Sequence, residues 1–236
     1  MANPSADVSR RESITHVIFD FEGTLIDSED FFTEVQQTIL ARYNKTFDLS
    51  LKAKLIGKKP IESSRIFVEE TGISEFITAE EFMVERQVML EKLFPSSELI
   101  PGASRLIRHL HAKGIPICVA SGVLRRHFEL KTQRHGEIFS LMHHVVLGDD
   151  PEVKQGKPSP DVFVTANKRF EGGPIDPHKI LVFEDSPAGV LGAKNSGMFV
   201  VMVPDPRFNL RGPADQVLNS LLDFNPNYWG LPPFDD

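Results

Sequence analysis

A single cysteine, Cys118, excludes an internal disulfide in this chain of 236 residues. It sits in the apolar run Ile115 to Ala120 (IPICVA), where a thiol reads as a small buried hydrophobe rather than a nucleophile. No apolar stretch reaches membrane-spanning length, and no signal-like segment is present, so a reducing, cytoplasmic setting is the expectation. Positive charge is also short: 26 Lys and Arg against 33 Asp and Glu leave a formal net charge of -7. That balance argues against nonspecific nucleic-acid or anionic-membrane partners. An anionic ligand therefore needs locally placed cations. The chain carries no G-x-G-x-x-G, no phosphate loop for nucleotides and no zinc-like histidine spacing. Dinucleotide and zincin chemistry are without support.

What is present is the composition of an ordinary globular protein, 41% hydrophobic and 25% charged, long enough for one sizeable core and a smaller companion. Five short apolar runs recur: Val17 to Phe19, Ile115 to Ala120, Val145 to Leu147, Ile180 to Phe183 and Phe199 to Val203. Such runs mark parallel strands covered on both faces. Helical spacing fills the later gaps, at Ala103 to His111, Pro160 to Phe170 and Pro187 to Ser196. The alternation predicts an α/β fold, a Rossmann-like doubly wound parallel sheet. Between Asp20 and Ile115 no convincing strand is found. That stretch reads as four helices, Ser28 to Tyr43, Leu49 to Ile56, Pro60 to Glu70 and Thr78 to Phe94, with Asp27 or Ser28, Ser50 and Thr78 as N-caps. So long an excursion implies an inserted helical domain. The expected division is a flexible tail at 1–13, a core of 14–27 and 97–236, and a helical cap of 28–96. The segment from Phe224, rich in proline and aromatics, is expected to pack back on the core.

Open α/β sheets gather ligands beyond the carboxyl ends of their strands. The first strand ends in Asp20, with Glu22 and Thr24 following, and the second in Ser121-Gly122. The third leads to Lys157, and the fourth ends in Glu184-Asp185. Each alone reads as a cap or a solvated loop residue. Together, three carboxylates repel one another unless a cation lies between them, and oxygen ligands favour magnesium. With the metal bound, Asp20 stays ionised and serves as a nucleophile, while Ser121, neighbouring N–H groups and Lys157 hold phosphoryl oxygens. That is equipment for phosphoryl transfer.

The segments FDFEGT, Ser121 after a strand, GKPSPDVF and FEDSPAGVLGAKNSGM resemble the four motifs of the haloacid dehalogenase (HAD) superfamily. The text between them, including LKTQRH and FSLMHHVVLGDDPEVKQGKPSPDVF, is similar to plant glycerol-3-phosphatases and to pseudouridine-5'-phosphatases. The resemblance implies a magnesium-dependent phosphatase of small phosphomonoesters, such as glycerol 3-phosphate, working through an aspartyl phosphate. It implies Asp20 as nucleophile, Thr24 as the residue that steadies the motif loop within the phosphate-binding set, and Ser121, Gly122 and Lys157 as phosphoryl-binding groups. The implied metal set is Asp20, the Glu22 backbone carbonyl, Glu184 and Asp185. Lys58 or Lys59, in the cap, either contacts the leaving group or is a solvated pair.

One position departs from the pattern. Where such phosphatases carry an aspartate two residues after the nucleophile, this chain has Glu22. Either Glu22 folds back and performs the acid–base work, or turnover is slow and the protein is a weakly active metabolite-binding homologue. A phosphatase of pseudouridine 5'-phosphate or of a sugar phosphate, and a sugar phosphomutase, are the other readings. The expected partner is a small phosphorylated metabolite, with neither nucleic acid nor membrane, and the expected state is a monomer.

Overall fold

Val17, Ile18 and Phe19 have no solvent-exposed surface, the fate of a strand covered on both faces. The structure, a computed structural model, describes residues 14–55 and 60–235. The tail expected at 1–13 and the loop carrying Lys58 and Lys59 lie outside the described residues. In chain order, β1 (His16–Phe19) and β2 (Ile26–Asp27) lead into α1 (Glu29–Ala41), α2 (Leu49–Leu55), α3 (Pro60–Glu70) and α4 (Ala79–Leu93). After β3 (Glu98–Leu99) come α5 (Ala103–Ala112), β4 (Ile117–Ala120), α6 (Arg125–Thr132), α7 (Gly136–Phe139) and β5 (His144–Val146). The chain closes with α8 (Asp161–Lys168), β6 (Ile180–Glu184), α9 (Pro187–Asn195), β7 (Phe199–Met202) and β8 (Gln216–Val217).

Six strands form one parallel sheet in the order β5-β4-β1-β6-β7-β8. Because successive strand residues point to opposite faces, each strand feeds two cores. Val17, Phe19, Val119, Phe183 and Val201 pack with Leu106, Ile107 and Leu110 of α5. Ile18, Cys118, Ala120, Val182 and Val200 pack with Val162, Phe163 and Ala166 of α8 and with Val190 of α9. Each such side chain contributes about 1.5–3 kcal/mol on full burial. This puts β1 at the centre, with its last residue between the ends of β4 and β6.

The helices α1, α3 and α4 share a separate apolar cluster that includes Val35, Ile39, Phe67, Phe82, Leu90 and Phe94. Phe67 and Phe82 stack at 4.4 Å between ring centroids. Thr78 opens α4 with a reciprocal capping box to Glu81. Of the pair Asp27 or Ser28 expected to cap α1, Asp27 accepts the Glu29 N–H through Oδ1 at 3.1 Å. Asp48, not Ser50, accepts the Leu51 N–H at the start of α2, because Asp48 directly precedes the helix whereas Ser50 already lies inside it. Ser28 occupies the N-cap of α1 but makes no side-chain cap bond; its hydroxyl serves Glu22 instead.

Two features exceed the expected five strands: β8 at the sheet edge, and an antiparallel ribbon pairing Ile26 with Leu99 and Asp27 with Glu98. Strands of two residues are too short to show a period. The C-terminal segment packs back as expected, burying Phe224, Trp229 and Leu231. The Trp229 indole donates to Gln216 Oε1 at 2.8 Å, tying the segment to β8.

Candidate active site

Asp20 follows β1 directly, and its N–H donates to the Phe183 carbonyl at 2.9 Å. That bond continues the β1–β6 register, which aligns Phe19 with Phe183. The next step brings Asp20 beside Glu184, and the β1–β4 register brings it beside Ala120. Carboxylate oxygens of Asp20, Glu184 and Asp185 all lie within 4.8 Å of one another.

Lys157 reaches into this cluster from the loop after β5. Its ammonium donates to Asp20 Oδ1 at 2.6 Å, to Glu184 Oε1 at 2.5 Å and to the Ala120 carbonyl at 3.3 Å. Glu184 Oε2 accepts from the N–H groups of Asp185 and Ser186 and from the Ser186 hydroxyl, each at 3.0 Å. Both oxygens of Glu184 are thus engaged by the protein. Asp185, by contrast, takes no side-chain hydrogen bond among the described residues.

Burial first, then the Glu184 charge, raises the Asp20 pKa to about 6, against the opposing pull of Lys157. Asp185 is pushed well up by burial and then by Glu184 and Asp20. Burial opposes the charge on Lys157, yet Asp20 and Glu184 together hold it above the usual lysine range. One cation among three carboxylates leaves uncompensated negative charge, and all the donors are oxygens. The residues therefore fit a hard divalent cation such as magnesium.

The tight approach depends on bare backbone. Gly23 has φ +81°, and a Cβ there would lie 2.1 Å from Asp185 Oδ2. A Cβ on Gly148 would meet the Gly122 carbonyl at 2.2 Å, whereas one on Gly122 would meet nothing within 4 Å. The Gly122 side of the loop is open to a ligand. Ser121 is buried beside it, and its hydroxyl has no hydrogen bond among the described residues. The Thr24 hydroxyl donates to Asp20 Oδ2 at 3.4 Å, so it steadies the carboxylate from within the loop.

Glu22 is held differently. Its Oε1 accepts from both Lys131 Nζ and the Ser28 hydroxyl, each at 2.5 Å. Lys131 belongs to α6, and its side chain is 1% exposed. Its ammonium lies 4.1 Å from the Phe94 ring centroid. Burial lowers the Lys131 pKa, and Glu22 works against that shift. A cavity of about 470 Å³ opens beside Glu22, Gly23 and Asp185, walled by Ile100, Pro101 and Phe208.

Asp20, Thr24, Lys157, Glu184 and Asp185 thus come together through hydrogen bonds or shared carboxylate contacts. Lys58 and Lys59 are outside the described residues. Lys131 and Ser28 were not among the sequence candidates. A lysine in the last turn of a helix reads as solvated, and a serine at a helix start reads as a cap. Arg126 of α6 pairs with Glu91 of α4.

A family model described as haloacid dehalogenase-like hydrolase matches residues 14–197. A (DL)-glycerol-3-phosphatase 2 from Arabidopsis thaliana is 65% identical over 238 residues, covering 100% of this chain and 99% of the relative. A probable pseudouridine-5'-phosphatase from Drosophila melanogaster is 43% identical over 226 residues, covering 94% and 96%. Among solved structures, a HAD family hydrolase from Deinococcus radiodurans R1 with bound phosphate and sodium superposes with a TM-score of 0.76 at 22% identity. That alignment covers 94% of this chain and 99% of the other.

Proposed function

This chain belongs to the haloacid dehalogenase-like hydrolases, and on that footing we propose a phosphatase that hydrolyses a small phosphomonoester, glycerol 3-phosphate being the first candidate. The observation that carries the reading is the carboxylate trio Asp20, Glu184 and Asp185, the first two buried and both paired to Lys157. The named relatives support the substrate class.

In the proposed sequence, an Asp20 carboxylate oxygen attacks phosphorus and the bond from phosphorus to the ester oxygen breaks. Glu22 gives a proton to the departing alkoxide, releasing the alcohol. Glu22 then takes a proton from water as the water oxygen attacks phosphorus of the aspartyl phosphate. The bond from phosphorus to Asp20 breaks, freeing phosphate and restoring the carboxylate. Lys157, Ser121 and the Gly122 amide hold phosphoryl oxygens, while Thr24 and Lys157 orient the nucleophile. Magnesium, held by Asp20, Asp185 and the Glu22 carbonyl with Glu184 behind them, would neutralise phosphoryl charge and keep Asp20 ionised. Residues 28–96 act as a cap over the site, a role supported by their own apolar cluster and by the Arg126–Glu91 contact between α6 and α4. A monomer in the cytoplasm completes the proposal. Among the described residues no helix is long and apolar enough to cross a membrane, and the lone thiol is buried.

The test is phosphate release from a panel holding glycerol 3-phosphate, pseudouridine 5'-phosphate and hexose phosphates, with magnesium. Release that disappears in Asp20→Asn supports the reading. Activity retained in that variant, or sugar phosphate isomerised without phosphate release, overturns it.

A further inference from the structure

The reading of Glu22 as the acid–base group leaves one question: what fixes a side chain of three rotatable bonds well enough for proton transfer. Its two donors answer it. Lys131 Nζ and the Ser28 hydroxyl both bind Oε1 at 2.5 Å, and Oε2 has no hydrogen bond among the described residues. The Glu22 side chain remains 37% exposed, and the residue lines the cavity next to Asp185. One oxygen is clamped, the other makes no hydrogen bond among the described residues, and the residue that carries both lines the cavity. Lys131 itself is fixed from behind. It is almost wholly buried, with Phe94 on one side at 4.1 Å and Phe32 at 5.8 Å. Among the described residues, Glu22 is the one carboxylate hydrogen-bonded to its ammonium.

We propose that Lys131 is a positioning residue for the hydrolytic reaction, clamping Glu22 through Oε1 so that Oε2 is presented to the leaving-group oxygen and then to water. Ser28 is the second jaw of the clamp. The proposal rests on the phosphatase reading of the site. It also explains why a lysine is buried against two aromatic rings with its ammonium aimed at the motif loop. An ion pair serving stability alone gains little, since desolvating both charges offsets their attraction. Displacing a proton-transfer group by about 1 Å costs about a hundredfold in rate, which is a sufficient reason for so rigid a mounting.

The experiment measures kcat and KM with magnesium on glycerol 3-phosphate and on para-nitrophenyl phosphate, for Lys131→Met, Ser28→Ala, Glu22→Gln and the Lys131→Met/Glu22→Gln double variant. Methionine keeps an unbranched apolar stem beside Phe94, and circular dichroism reports whether the fold survives. The expected result is a kcat lowered roughly ten- to a hundredfold in Lys131→Met, with KM within about twofold. In the double variant Lys131→Met adds nothing to the loss caused by Glu22→Gln, because the clamp has no carboxylate left to position. Ser28→Ala gives a smaller kcat loss of the same kind and tests the clamp should Lys131→Met fail to fold. Activity lost in Asp20→Asn and Glu22→Gln but unchanged in Lys131→Met and Ser28→Ala overturns this proposal and leaves the phosphatase reading standing. Additive losses in the double variant, or a kcat that rises when the clamp is removed, overturn it as well. No release by the unaltered protein from either ester or from any member of the phosphate-ester panel overturns the phosphatase reading and this proposal together.

Discussion

The Lys157 ammonium stands 2.6 Å from Asp20 Oδ1 in a place where both side chains are nearly closed to solvent, at 12% and 7% exposure. It bonds Glu184 at the same time. Breaking a buried ion pair from one side leaves an uncompensated charge and costs about 3–5 kcal/mol. Lys157→Met is therefore expected to lower the metal-free stability by about 3 kcal/mol, read from urea unfolding. Phosphate release should fall at least about a hundredfold, since the proposed mechanism gives the same ammonium a phosphoryl oxygen to hold.

Metal binding should be linked to protons. Asp20 holds its proton up to about pH 6 in the folded, metal-free protein, whereas an aspartate in the unfolded chain releases it near pH 4. Between those values the folded state binds more protons, so metal-free stability falls as pH rises through the window and levels off above it. A divalent cation favours the carboxylate and must displace that proton. Magnesium affinity is expected to be weaker by at least about tenfold at pH 5 than at pH 7.5. Calorimetry in buffers of different ionisation enthalpy should find more protons released on magnesium binding at the lower pH than at the higher, since Asp20 and Asp185 are both raised; equal release at both would contradict the assignment.

Gly23→Ala should disable the proposed metal site while sparing the sheet. A methyl group there falls 2.1 Å from Asp185 Oδ2, at a backbone φ of +81° that side chains rarely adopt. Asp185 must move or the loop must refold. The expected outcome is a loss of measurable magnesium binding and of turnover, with circular dichroism close to the unaltered protein.

Trp229 closes the apolar core on the α5 side of the sheet and is 1% exposed. Trp229→Ala is expected to cost about 3–5 kcal/mol. Trp229→Phe should cost less, losing chiefly the bond to Gln216. As the chain holds one tryptophan, its fluorescence reports the release of the C-terminal segment directly, and its change should coincide with global unfolding followed by circular dichroism.

The sequence made the strand ends readable because three of the five apolar runs stop on or lead straight into polar residues of distinct chemistry, Asp20, Ser121 and Glu184-Asp185, and parallel strands deliver those ends to one edge. Asp20, Ser121 and Asp185 could be named for that reason. Lys131 could not. Its surroundings are Phe32 and Phe94, which lie 99 and 37 positions earlier in the chain, and no local pattern shows that they will close over an ammonium. Ser28 has a similar lesson at shorter range. Its position at the start of α1 was legible, but whether its hydroxyl turns to the helix or to Glu22 depends on where the motif loop folds.

The ribbon of β2 and β3 carries a consequence for the ancestry of such chains. Pairing Ile26 with Leu99 brings the two crossings between sheet and helices to about the spacing of adjacent strands, roughly 5 Å. A segment whose entry and exit are neighbours can be excised and the gap sealed by a short turn, without rerouting any strand of the sheet. The helices between them are in this sense a cassette, exchangeable for one of different length while the strand order of the sheet stays as it is.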